Sequence, residues 1–181
     1  INQNLRLKID YEDGRHRIFT PRGVLMHLYH LYNSMTFPEE MYVVLFYGIY
    51  NLNTKELSYA SAGMNTLPLI IKRTGKVVPL KIDGFPICRF GDYFKPSYET
   101  KNIVLDPGDT LIFYSDGLEE IDRQQPGIFS TKNIIEYLSG MQDLSAQSIC
   151  DELAEAYQTL LDGREMLDDV TILVVKIPFS K

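Results

Sequence analysis

Cysteine is scarce: the 181 residues include only Cys88 and Cys150, far apart, outside any CxxC pair and with no histidine at ligand spacing. Such usage suggests neither a disulfide framework nor a zinc site, and a reducing cytoplasm is the expected compartment. Long apolar runs are also missing. No stretch reaches the roughly 20 residues that a membrane-spanning helix needs, and the N-terminus lacks a charged-then-apolar signal pattern, so a soluble chain is predicted. Dense basic runs are absent too. Eighteen Lys plus Arg stand against 24 Asp plus Glu, a formal net charge of -6, which leaves no footprint for a nucleic-acid backbone. An acidic protein that handles phosphate needs a metal to reverse the local sign. Repeats, low-complexity tracts and internal linkers do not occur. With 45% hydrophobic residues, enough to offset the entropy of ordering, the chain reads as one domain over 1–181.

What is present has the pattern of an α+β fold. Thr20 before Pro21 is a helix start, a hydroxyl to cap free N–H groups followed by a residue that has none to satisfy. Val24, Leu25, Leu28, Leu31 and Tyr32 continue it as an amphipathic helix over 21–34. The run 42–50, YVVLFYGIY, predicts a buried strand. Strands at 56–61 and 67–73 follow, and a hairpin turn at Thr74-Gly75-Lys76 leads into 77–80, so that the middle of the chain reads as a meander. Strands at 98–105 and 110–114 flank the Pro107-Gly108-Asp109 turn. Helices at 131–138 and 145–161 and a strand at 170–177 close the chain. Helices thus segregate to the two ends around antiparallel strands.

Two acidic points adjoin strongly apolar strands. Asp116 follows Leu111-Ile112-Phe113-Tyr114-Ser115 and precedes Gly117, where glycine would let the backbone turn tightly. Asp168 and Asp169 immediately precede Val170-Thr171-Ile172-Leu173-Val174-Val175. If the two strands are neighbours, the carboxylates meet at one mouth of the sheet. Such a cluster is self-repelling without a cation, and its all-oxygen donors select Mg²⁺ or Mn²⁺. The same spacing also fits ordinary turns and a solvated loop.

The ordered segments Tyr42-Val43-Val44-Leu45-Phe46-Tyr47-Gly48, Leu57-Ser58-Tyr59-Ala60-Ser61-Ala62-Gly63, Pro107 to Gly117 (PGDTLIFYSDG) and Asp168-Asp169-Val170-Thr171 resemble the stage II sporulation E-type branch of the metal-dependent (PPM) protein phosphatases, over nearly the whole chain. The resemblance implies an α-β-β-α sandwich with a binuclear Mn²⁺ or Mg²⁺ site that removes phosphate from phosphoserine or phosphothreonine through a metal-activated water, without a covalent phosphoenzyme. It implies that Asp116 and Asp168 are catalytic and bind one metal, that Asp169 either binds metal or orients a water or backbone N–H, and that Gly117 is the permissive backbone position beside the ligand. The usual bacterial substrate in this branch is a STAS-type anti-sigma-factor antagonist. A sensor or receiver domain upstream in the same polypeptide is expected, the domain is expected to be cytoplasmic, alone or as the output of a longer protein, and a homodimer is compatible with the resemblance.

Departures are visible as well. The family's D-[VI]-x-G-H-G motif is absent, and Ile1 to Leu7 read as the end of the helix that follows it. The expectation is therefore the C-terminal portion of a domain that lacks its N-terminal part and, alone, binds metal weakly and does not turn over. Met64 stands where the family commonly has His, and Cys88 where it commonly has Gly. These departures keep a non-catalytic, phosphoprotein-binding relative as the alternative. His27 and His30, Arg15 and Arg17, the Tyr29 and Tyr32 stripe and the acidic Glu119, Glu120 and Asp122 read as surface, packing or rim residues rather than as sites.

Overall fold

The computed structural model describes residues 10–12, 15–17, 20–89, 95–121 and 129–179. In chain order the elements are β1 (Asp10–Glu12), β2 (Arg15–Arg17), α1 (Pro21–Asn33), β3 (Tyr42–Val43), β4 (Leu45–Asn51), β5 (Glu56–Ala62), β6 (Leu69–Ile71) and β7 (Val77–Pro79). After these come β8 (Ile87–Cys88), β9 (Lys101–Val104), β10 (Thr110–Tyr114), α2 (Gly117–Glu120), α3 (Thr131–Leu138), α4 (Ala146–Leu161) and β11 (Ile172–Lys176). They form two compact units, Ile1–Met64 with Ile82–Val104, and Asn65–Lys81 with Leu105–Lys181. The expected helix end at Ile1 to Leu7 lies outside the described residues.

In the first unit, α1 begins as predicted. The Thr20 hydroxyl accepts a hydrogen bond from the Gly23 amide at 3.2 Å, and Pro21 takes the first turn. Leu25, Tyr29 and Tyr32 are buried along one face, while His27 and His30 are exposed. The helix face packs with Ala60, Ala62, Ile87 and Tyr98 in one apolar cluster. The run 42–50 is not one buried strand. It breaks at Val44, because β3 pairs with β8 whereas β4 pairs with β5, and Tyr42, Val43 and Val44 are 64%, 40% and 47% exposed. β-Branched and aromatic residues favour extended backbone, but they fix neither the partner nor the cover. β5 is the centre of the sheet β4-β5-β9. Its far end is fastened by Ser61, whose hydroxyl donates to the Asp83 carbonyl at 2.6 Å, and by the Gly63 amide, which donates to the Gly84 carbonyl at 2.9 Å. At Gly84, with φ +106°, a side chain would strike the Ser61 carbonyl.

The second unit holds the antiparallel sheet β11-β10-β6-β7. The hairpin turn predicted at Thr74-Gly75-Lys76 forms, closed by the Lys72 amide, which donates to the Lys76 carbonyl at 2.8 Å. The predicted meander does not. β5 and β6 belong to different sheets, and β6 pairs instead with β10. Sequence order alone could not reveal this, since the pairing follows apolar burial shared with distant helices. Leu69, Ile71, Ile112 and Tyr114 of the sheet pack with Ile134 and Leu138 of α3 and Ile149, Leu153 and Tyr157 of α4. Each such side chain contributes about 1.5–3 kcal/mol when fully buried. Along β11 the period is two: Ile172 and Val174 join that core, while Leu173 and Val175 are 54% and 41% exposed. α4 is capped by Ser145, which accepts from the Ser148 amide at 3.0 Å, and it ends at Asp162 in the left-handed conformation.

The Pro107-Gly108-Asp109 turn does more than reverse the chain. The Asp109 carboxylate, 1% exposed, accepts from the Asp106 amide at 3.0 Å and the Arg73 amide at 2.9 Å, and pairs with the Lys72 ammonium. It therefore ties the β6–β7 hairpin to the start of β10. The Lys72 side chain is 28% exposed and can rehydrate if its partner is lost, whereas the two amides are left without an acceptor. Asp109→Ala is expected to cost about 3 kcal/mol, at roughly 1–3 kcal/mol per orphaned group, read from urea unfolding. A loss under about 0.5 kcal/mol would show that these bonds do not hold the turn.

Candidate functional site

The register of β10 on β11 pairs Tyr114 with Ile172, so the end of β10 lies beside the start of β11. Ser115-Asp116-Gly117 and Asp168-Asp169 are thus brought to one end of two neighbouring strands. Hydrogen bonding continues past the ladder. The Ser115 amide donates to the Thr171 carbonyl at 3.0 Å, and the Ser115 hydroxyl accepts from the Thr171 amide at 2.9 Å while donating to the Asp169 carbonyl at 3.0 Å. One hydroxyl therefore stitches the two acidic segments together, a role that sequence spacing did not reveal.

Gly117 is required for a different reason from the predicted one. It opens α2 and is not among the positive-φ glycines, so no unusual turn depends on it. A Cβ at Gly117 would instead lie 2.5 Å from the Asp169 carbonyl oxygen and 3.3 Å from that of Asp168. Glycine here permits the close approach of the two acidic segments.

Asp116 is half-buried, at the N-cap position of α2, with helical φ and ψ of -63° and -24°. Its carbonyl accepts from the Glu119 and Glu120 amides at 2.8 and 2.9 Å, but its carboxylate does not cap the helix. Oδ2 accepts instead from the Asn65 carboxamide Nδ2 at 2.6 Å. Asp168 and Asp169 are exposed, and Asp168 Oδ1 accepts from the Asp169 amide at 2.7 Å. Behind this edge the Tyr114 hydroxyl donates to Glu119 Oε1 at 3.1 Å. Burial, and then the Glu119 charge, push the phenol well above its ordinary pKa and keep it a donor. Glu119 is therefore tied inward rather than standing on a solvated rim; Asp122, read with it, lies outside the described residues.

The donors suit a hard divalent cation in kind, being carboxylate oxygens on segments held in close approach. In number they are few. Among the described residues no group of three or more His, Cys, Asp or Glu could hold a metal. Mg²⁺ and ions like it keep several waters and are commonly held by one or two carboxylates together with substrate phosphate. Asp116 and Asp168 would supply carboxylates of that kind, as part of a coordination sphere. Cys88, by contrast, is buried in β8, and burial raises its thiol pKa, so it presents no ready thiolate. Met64 is half-buried and, with Phe85, Pro86, Lys95 and Glu99, borders an open cleft of about 610 Å³ in the first unit. The side chains of Arg15 and Arg17 are not described. Among the described residues no helix is long and apolar enough to cross a membrane.

Comparison with known proteins gives this geometry a lineage. The family described as stage II sporulation protein E (SpoIIE) matches residues 9–178, spanning both units. Protein IcfG of Synechocystis sp. is 26% identical over 136 residues, 75% of this chain and 20% of the relative. Phosphoserine phosphatase RsbU of Bacillus subtilis is 24% identical over 136 residues, again 75% of this chain and 39% of the relative. The chain thus spans well under half the length of either. The Mn-presoaked phosphatase domain of SpoIIE from Bacillus subtilis superposes with a TM-score of 0.60 at 20% identity, covering 87% of this chain and 66% of that one. The mixed helical and antiparallel-sheet fold is therefore that of the PP2C-type phosphatase domains, and the chain belongs to the SpoIIE family.

Proposed function

We propose that this chain is part of one metal-dependent protein serine/threonine phosphatase domain, in which Asp116 and Asp168 are catalytic metal ligands for Mn²⁺ or Mg²⁺. The observation that carries the proposal is the convergence of the Asp116 and Asp168-Asp169 segments at the paired ends of β10 and β11. The relative named phosphoserine phosphatase and the Mn-presoaked phosphatase domain support the same reading. The substrate is a phosphoprotein, and by family resemblance a STAS-type anti-sigma-factor antagonist. An upstream sensor or receiver domain in the same polypeptide and a cytoplasmic setting complete the proposal.

When bound, the metal supplies Lewis-acid charge at the phosphoryl oxygens and acidifies water enough for it to attack at neutral pH. The chain's residues supply position. Asp116 is aimed by its bond to Asn65, and Asp168 stands exposed beside it in the fold, where a phosphate can reach it from solvent. Asp169 lends its carbonyl to Ser115, and its carboxylate orients a water or adds a ligand. Gly117 leaves room for the approach. Hydrolysis forms a water O–P bond and breaks the seryl O–P bond in line, with a proton passing to the leaving seryl oxygen; no side-chain nucleophile is consumed.

The test is phosphate release from a phosphoserine protein by the full-length protein. Turnover is expected to require Mn²⁺ or Mg²⁺, to disappear with a chelator, and to fall by about 100-fold or more in Asp116→Asn and Asp168→Asn, beyond the 10–100-fold typical of groups that only orient ligands. Gly117→Ala, which drives a methyl group into the Asp169 carbonyl, is expected to lower both turnover and Tm. Metal-independent turnover would overturn the reading. No turnover from a folded protein offered several phosphoproteins would favour the non-catalytic, phosphoprotein-binding alternative.

A further inference from the structure

We propose that Asn65 is a positioning residue for Asp116: its carboxamide holds one carboxylate oxygen and leaves the other turned to the metal. The proposal rests on the metal reading of Asp116 above. The bond from Asn65 Nδ2 to Asp116 Oδ2 is 2.6 Å, and Oδ1 makes no hydrogen bond among the described residues. Asp116 occupies the N-cap of α2 without capping it, so its acceptor capacity is not spent on the helix.

The chemistry of the donor matters. A Lys or Arg at this place would neutralise the carboxylate and compete with a divalent cation for it. A carboxamide fixes the rotamer while leaving the full negative charge in place, and it does not titrate. Asn65 is exposed, and an exposed hydrogen bond adds little to folding, so stability alone does not account for it.

The donor is itself anchored. The next residue, Thr66, is 4% exposed, and its hydroxyl donates to the Tyr114 carbonyl at 2.7 Å, at the end of the strand that leads to Asp116. Two residues further on, the Pro68 carbonyl accepts from the Leu80 amide at 2.7 Å. Donor and acceptor therefore hang from the same end of one sheet. This arrangement follows the pattern in which a group behind a metal ligand sets its orientation.

The experiment is Mn²⁺ titration of the full-length protein by calorimetry, with melting in a chelator as the control, on wild type, Asp116→Asn, Asn65→Ala and Asn65→Leu, the last keeping shape without a donor. Both Asn65 variants are expected to melt with the wild type when metal-free and to bind Mn²⁺ roughly tenfold more weakly. Asp116→Asn is expected to bind more weakly still. Unchanged affinity in the Asn65 variants, with Asp116→Asn weakened, would overturn the positioning role and spare the metal site. Unchanged affinity in Asp116→Asn would overturn the metal reading itself. A metal-free melting loss in both Asn65 variants with unaltered affinity would make the bond structural only, and would also overturn the proposal.

Discussion

The pairing of β10 with β11 is the constraint on which the site depends. These strands lie more than 50 residues apart in the chain, and what holds them in register is the apolar face they share with α3 and α4. Ile112 and Tyr114 on one strand and Ile172 and Val174 on the other pack with the same cluster. A shift of one residue would turn that face outward, so burial strongly specifies the register. Once it is set, the Asp116 and Asp168-Asp169 segments leave the sheet at the same end. The Ser115 hydroxyl and the missing side chain of Gly117 then decide how closely the two segments approach.

In a protein of net charge -6, carboxylates that meet at one end of a sheet repel one another unless a cation intervenes. Asp168 and Asp169 remain exposed, which keeps them hydrated, and Asp116 is half-buried with a neutral donor rather than a positive partner. Asp109 shows the contrasting solution. That carboxylate is fully buried, paired with Lys72 and bonded to two amides, and its charge is spent on architecture. Of two aspartates within one motif, the satisfied one holds the turn, and the one with an unused oxygen is suited to chemistry.

Local signals in the sequence were reliable where the physics is local. Thr20 with Pro21 marked α1, Ser145 lies at the start of α4, and the apolar runs at 110–114 and 170–177 became neighbouring strands. Partner choice was not local, so 42–50 broke at Val44 and the predicted meander divided between two sheets. At the site, Asp116 and Asp168 could be singled out because each flanks an apolar strand. Ser115, Asn65 and the steric reason for Gly117 could not, because each depends on what lies across the sheet rather than along the chain.

The central claim is that one divalent ion meets both acidic segments at once. Its most direct test is paramagnetic broadening of backbone amide NMR signals as substoichiometric Mn²⁺ is added to the full-length protein. Signals from 115–118 and 168–171 should broaden first and together, with Val77 and Val78 on the far edge strand of the same sheet broadening later. Broadening of one segment without the other, or of neither, would contradict the account.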